Sequence, residues 1–475
     1  MSTISRTLNI RLAVRFSVFA AMFALVLVAN SRSTVAAAAQ RAATHATVIQ
    51  SRPVEQLLNA DGTLNLNTGW SGTLDLRGWD VALDLQRGPT VTRRASDSPQ
   101  NAPQRAPLAI SWQPLSHNGL KSSVRALVVN GGDLFVGGVF TQSADGAVTN
   151  LNGIAKYSGG EWTALANNGL NRQVYALAVS GSDLYVGGYF VKSADGAVTN
   201  LNNIAKYSDG AWSALPNNGL NGNVNALAVS GSDLYVGGAF TQSADGAVTN
   251  LNRIAKYSGG VWSALANNGV NFPVSALAVS GTDLYVGGYF QQTADGTVTN
   301  LNRIAKYSGG VWSALANNGL SDNVWVAGVL ALAVSGSDLY VGGIFTQTAD
   351  GAVTNLNNIA KYSDGAWAAL ANNGLDSDVD ALAVSGSDLY VGGRFLQSAD
   401  GVVTNLNHIA KYSGGVWSAL ANSGVNDRVN TFAVSGSDLY VGGAFTQSAD
   451  GMVKDLNNIA KLGPQYMLSL PLILR

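Results

Sequence analysis

From residue 108 to residue 462, apolar residues come in short runs bounded by Gly, Ser, Asn and Asp. One unit holds four strand-like pieces, at Val224–Ser230, 234–240, 252–258 and 260–265. Ser-Gly-Ser-Asp separates the first two, and Ser-Gly-Gly or Ser-Asp-Gly separates the last two, as the tight turns of hairpins require. The unit therefore reads as a four-stranded antiparallel meander.

The meander recurs. Asp-Leu-(Tyr/Phe)-Val-Gly-Gly begins at Asp133, Asp183, Asp233, Asp283, Asp338, Asp388 and Asp438, a spacing of 50 residues with one interval of 55. Ile-Ala-Lys recurs seven times, from Ile154 to Ile459, and a tryptophan recurs seven times, from Trp112 to Trp417. Four antiparallel strands in a repeat of this length predict the blade of a β-propeller. Small residues fall on the first two strands, such as Ala226, Ala228, Gly237 and Gly238, while Trp falls on the fourth. That gradient suits blades that converge on an axis and diverge at a rim. The array opens on a lone Trp strand (Ser111-Trp112-Gln113) and stops after Ile459 without one. The fold class expected is all-β, a seven-bladed propeller over 108–462, closed by an N-terminal strand that completes the last blade. Closure removes the free sheet edge.

The first hundred residues read differently. Arg6, Arg11 and Arg15 precede an uncharged apolar run from Phe16 to Ala29, followed by the small residues Ala36 to Ala39. This order is that of a secretory signal peptide, assigned to 1–38. The run is shorter than the roughly 20 residues of a membrane span, so no span is expected in the mature chain. Residues 53–87 alternate apolar and polar residues at period two and read as a small β-type region. The Pro- and Arg-rich stretch 88–107 reads as a linker, and 463–475 as an apolar tail. A secreted or cell-surface location follows as an expectation.

Composition narrows the chemistry. The chain has 475 residues, no cysteine and a formal net charge of −1, with 17 Lys+Arg against 23 Asp+Glu beyond residue 107. An acidic body argues against a nucleic-acid partner. Without cysteine there are no disulfides, thiolate metal sites or cysteine nucleophiles. The propeller holds two histidines, His117 and His408, and one glutamate, Glu161, so neither a metal site nor a catalytic group is assigned. His408 reads as a solvated loop or strand-edge residue. The repeated Asp-Gly (Asp145 through Asp450) invites calcium, but each loop offers one Asp, and a turn with Asn capping groups is the plainer reading.

Taken together, Leu-Tyr-Val-Gly-Gly, then Ile-Ala-Lys-Tyr, then a Trp five residues beyond the Tyr, resemble kelch-type repeats of the galactose-oxidase-like propeller class. The motifs are more similar still to bacterial exported propeller proteins and fungal cortical cell-polarity markers. The resemblance implies the propeller fold and leaves activity open, because such propellers include oxidases, lyases and binding modules. The copper site of galactose oxidase needs a cysteine, which this chain lacks, and no cofactor is expected.

A meander places the two short turns of each unit on one face and the two longer connections on the other. Binding is expected on the longer-loop face, around the channel mouth. Copies differ at the start of the first strand (Arg125, Tyr175, Asn225, Ser275, Leu330, Asp380 and Asn430) and after Gly-Gly (Val139, Tyr189, Ala239, Tyr289, Ile344, Arg394 and Ala444). The five extra residues of one copy bring Trp325, an aromatic outside the rim register. The candidate ligand-binding residues are Trp325, Tyr175, Tyr189, Tyr289, Arg394, Asp380 and Arg125. The expected role is a monomeric, non-catalytic binding module for an extracellular protein or glycan. The alternatives are an extracellular glycan-active hydrolase or lyase, and a structural envelope protein.

Overall fold

In the computed structural model the described residues are 51–53, 58–59, 73–75, 79–84, 88–93, 110–322 and 327–464. The chain divides into two units, Met1–Gln104 and Arg105–Arg475. The signal segment 1–38, Trp325 and most of the tail lie outside the described residues. In the first unit Ser51–Pro53 pairs in parallel with Thr73–Asp75, and Trp79–Asp84 pairs antiparallel with Gly88–Arg93. The second pairing corrects the linker boundary. Residues 88–93 are one arm of a hairpin, and Pro89, which has no N–H to donate, is tolerated in a two-stranded ribbon, where a strand has an unpaired edge.

The second unit is a ring of seven four-stranded sheets. The first blade runs Val124–Asn130, Asp133–Gly138, Ile154–Ser158 and Glu161–Ala164, each strand antiparallel to the next. Five more follow in the same order. The seventh takes Val429–Ser435, Asp438–Gly443 and Ile459–Pro464 from the end of the array and its outer strand, Ile110–Pro114, from the beginning. Trp112 stands opposite Leu462 in that last pairing, so the ring closes as the offset of the array predicts.

The core lies between blades rather than within one. Ile154 and Leu165 of the first blade pack with Val174, Phe190, Leu201 and Trp212 of the second, and six equivalent clusters complete the circle. The Phe two residues after each Gly-Gly (Phe140 through Phe445) is almost wholly buried. The first glycine of each pair is where adjacent sheets approach closest. A Cβ at Gly137 would meet Val174 Cγ1 at 2.5 Å, and one at Gly442 would meet Val124 Cγ1 at 2.5 Å across the closure. Close backbone approach is what leaves only glycine there.

The outer Trp is buried under the turn that enters its own blade. Trp212 Nε1 donates to the Ala166 carbonyl at 2.9 Å, and its ring lies 4.8 Å from that of Tyr207 on the neighbouring strand. Trp112 repeats the hydrogen bond to Ala421 at 2.8 Å, with Leu462 in place of the Tyr. Burying the indole while pairing its N–H lets this large side chain contribute its full apolar surface.

Candidate binding site at the channel mouth

Both longer connections of a blade meet on one face. Leu170, in the loop entering the second blade, bridges to Ser193 in the loop between that blade's middle strands. Ala194 N–H also donates to the Gly169 carbonyl at 3.0 Å. The repeated Asp-Gly belongs to this scaffold. Asp195 Oδ1 accepts from the Ser193 hydroxyl at 2.7 Å and the Ala197 N–H at 2.9 Å, while Oδ2 accepts from Asn167 at 3.0 Å. Three donors on one carboxylate hold it below the usual carboxylate range. The carboxylate serves as the clasp of a turn.

At the centre of this face lies a recess of about 390 Å³. Its wall takes one residue from the inner strand of every blade: Arg125, Tyr175, Asn225, Ser275, Leu330, Asp380 and Asn430. Tyr289, Ile344 and Arg394, each following a Gly-Gly, complete it with Asp378 and Arg428. Five of the candidate residues read from the sequence therefore converge on one mouth: Arg125, Tyr175, Tyr289, Asp380 and Arg394. Tyr189 lines a separate cleft between the first and second blades. Asp378 and Arg428 were not singled out in the sequence. Comparing the copies two positions further upstream would have found them, because Ser123, Gln173, Asn223, Pro273, Gly328, Asp378 and Arg428 occupy one column.

The wall residues are tied to their neighbours around the ring. Arg125 stacks its guanidinium 5.7 Å from the Tyr175 ring, and the Tyr175 hydroxyl lies 2.6 Å from Gln173 Oε1. Asn430 Nδ2 donates across the closure to the Val124 carbonyl at 2.8 Å. Asp380 receives both Nε and Nη2 of Arg428, at 2.7 and 2.6 Å. Burial nevertheless pushes the Asp380 carboxyl above the usual range, with Arg428 acting against the shift. Burial likewise raises the Tyr289 hydroxyl, with the Asp380 and Asp378 charges adding to it. The Tyr289 ring rests on Gly328, whose missing side chain makes room for it: a Cβ there would meet Tyr289 Cε1 at 2.6 Å. Arg394 projects half-exposed into the recess, 3.9 Å from Asp378.

The two histidines take unlike places. His117 stands where sister loops carry Asn, pairing Nδ1 with Asp145 Oδ2 at 3.0 Å and Nε2 with Glu161 at 3.5 Å. His408 stands at a strand edge, immediately before Ile409–Ser413, but it is not solvated. It is half-buried, its Nδ1 has no hydrogen-bond partner, and burial lowers its pKa. Among the described residues no group of three or more His, Cys, Asp or Glu is placed to hold a metal ion, and no helix is long and apolar enough to cross a membrane.

No family model matches the chain, and no curated protein matches its sequence. Among solved structures, the chain is similar to a computationally designed protein, Ika8, at 15% identity and a TM-score of 0.41, over 74% of this chain and 100% of that one. It is similar to the WD40 β-propeller domain of Doa1 at 12% identity and 0.42, over 75% and 98%. It is also similar to YCF48 bound to D1 peptide at 12% identity and 0.43, over 77% and 100%. The seven-bladed propeller itself is established by the strand pairing of this chain.

Proposed function

We propose that the protein is a secreted or cell-surface, non-catalytic binding module that takes an extracellular protein or glycan at the channel mouth. The observation that carries this reading is the convergence of seven inner-strand side chains of six kinds on one recess, within a ring whose core residues barely vary. Tyr175 and Tyr289 offer aromatic surface with few rotatable bonds, and Arg125 and Arg394 offer charge. Rigid strands beneath them keep the ordering cost of binding low. Export rests on the charged, apolar and small-residue order of 1–38, and the kelch-type resemblance fits a binding propeller. A glycan-active hydrolase or lyase would need an acid and a base free to exchange protons. The two carboxylates at the recess each face an arginine instead, Asp380 with Arg428 and Asp378 with Arg394.

Immobilised full chain, tested against a glycan array and an extracellular extract, checks the proposal. Tyr175→Ala and Arg394→Ala should each weaken the captured ligand at least tenfold, about 1.4 kcal/mol, with the melting temperature unchanged. Failure to capture any ligand would leave a structural envelope protein, and turnover of a bound glycan would make it an enzyme.

A further inference from the structure

We propose a second site, separate from the channel mouth, in the cleft between the first and second blades, for the carboxylate-bearing sugar of an acidic polysaccharide, a uronate. The cleft exists because one blade lacks a side chain that the others have. Before Ile-Ala-Lys stand Asn203, Arg253, Arg303, Asn358, His408 and Asn458, but Gly153 in the first blade. Asn203, Asn358 and Asn458 turn their amides to the next blade, donating to the carbonyls of Leu220, Leu375 and Leu120 at 2.8 to 3.0 Å. Gly153 sends nothing to the corresponding Leu170 carbonyl, and a cleft of about 580 Å³ opens there.

Three groups lining it are left with capacity to bind. The Leu170 carbonyl lacks the Asn donor that the Leu220, Leu375 and Leu120 carbonyls have. The Asn171 side-chain oxygen accepts from Val191 and Lys192 N–H, as in other blades. Its amide nitrogen has no counterpart of the Thr hydroxyl that Asn221 and Asn426 reach at 3.0 Å, because Val191 replaces that Thr. The Arg172 guanidinium sits 4.7 Å above the Tyr189 ring, and the ring is 43% exposed. Among the described residues no carboxylate pairs with Arg172, nor with Lys121 or Lys192 on the same arc. Every blade adds one turn aspartate to this face, so Lys121, Arg172 and Lys192 leave blades one and two net positive against Asp145 and Asp195. On the opposite arc Asp322, Asp376, Asp378, Asp380 and Asp427, with Arg394 and Arg428 set against them, leave blades five to seven net acidic.

A uronate matches this set. Its carboxylate meets Arg172, and its hydroxyls accept from the Asn171 amide and donate to the Leu170 carbonyl. Tyr189 gives its ring a wall, and further uronates of the chain follow the basic arc. The site shares a face with the mouth but none of its recess, so the two readings fail separately.

Calorimetric titration of the full chain at low salt with trigalacturonate, maltotriose and hexaglutamate tests the inference. Trigalacturonate alone should bind. Gly153→Asn, which refills the cleft as in sister blades, and Arg172→Gln should each weaken it at least tenfold, while Tyr175→Ala at the mouth leaves it unchanged. A Cβ at residue 153 would lie 2.5 Å from the Arg172 carbonyl, so Gly153→Asn also displaces that backbone and Arg172→Gln serves as the independent arm. Absence of trigalacturonate binding, equal binding of maltotriose, preference for hexaglutamate, or indifference to Arg172→Gln would each overturn it.

Discussion

Asp380 and Arg428 join the inner strands of the sixth and seventh blades through two parallel hydrogen bonds, at 2.6 and 2.7 Å, with the carboxylate side chain only 6% exposed. The pair is both a strut between blades and part of the binding wall. Removing one partner leaves the other charge buried and unpaired, which costs far more than the pair itself is worth.

Arg428→Met should therefore destabilise the protein by about 3–5 kcal/mol in denaturant unfolding. The double substitution Asp380→Leu with Arg428→Met should be milder than the single one. A single-variant loss below about 1 kcal/mol would show that water reaches Asp380 and that the pair does not clamp the ring.

Ring closure depends on a strand taken from the other end of the array. Deleting residues 108–116 removes the Ile110–Pro114 strand and Trp112, and leaves the Ile459–Pro464 strand as an open edge. The expected result is aggregation, or loss of a single cooperative melting transition, because an unpaired edge recruits other chains. A monomer with an unchanged melting curve would contradict the closure.

The rim tryptophans test where the core lies. Trp262 is 3% exposed, donates to the Pro216 carbonyl at 3.0 Å and stacks 5.1 Å from Tyr257. Trp262→Ala should cost about 3–5 kcal/mol by chemical denaturation. A cost under about 1 kcal/mol would mean that the ring contributes little to the packing between blades.

Acid should loosen the ring. The turn aspartates (Asp145, Asp195, Asp245, Asp295, Asp350, Asp400 and Asp450) all sit below their ordinary pKa of 3.8, Asp145 at about 2, because backbone and hydroxyl donors, with an Asn amide or, at Asp145, the His117 ring, favour the charged form. A lowered folded pKa gives stability that is present above the unfolded value and lost as pH falls through the folded one. Asp380, raised by burial, works in the opposite sense, but it is one group against seven. Calorimetry should find the melting temperature falling as pH drops from about 4 towards 2. A flat profile over that window would show the turn carboxylates to be uncoupled from folding.

The repeats made the strands, the blade count and the offset closure legible, because hairpin turns and strand lengths are local and were written seven times. The Gly-Gly pair and the outer Trp were legible too, since a taper from axis to rim imposes the same sizes on every copy. Variable positions marked Arg125, Tyr175, Tyr289, Asp380 and Arg394, but not that they share one recess. Only the ring brings residues 125 and 430 together, across a closure more than 300 residues long in sequence. The burial of Asp380 beside Arg428, one blade further on, and the half-burial of His408 exist only in the packed ring. Gly153 alone says nothing in a chain with 55 glycines. It acquires meaning from the side chains at the same position in the other blades, where Asn203, Asn358 and Asn458 reach across to the next blade, and that comparison exists only once each blade is packed against the next.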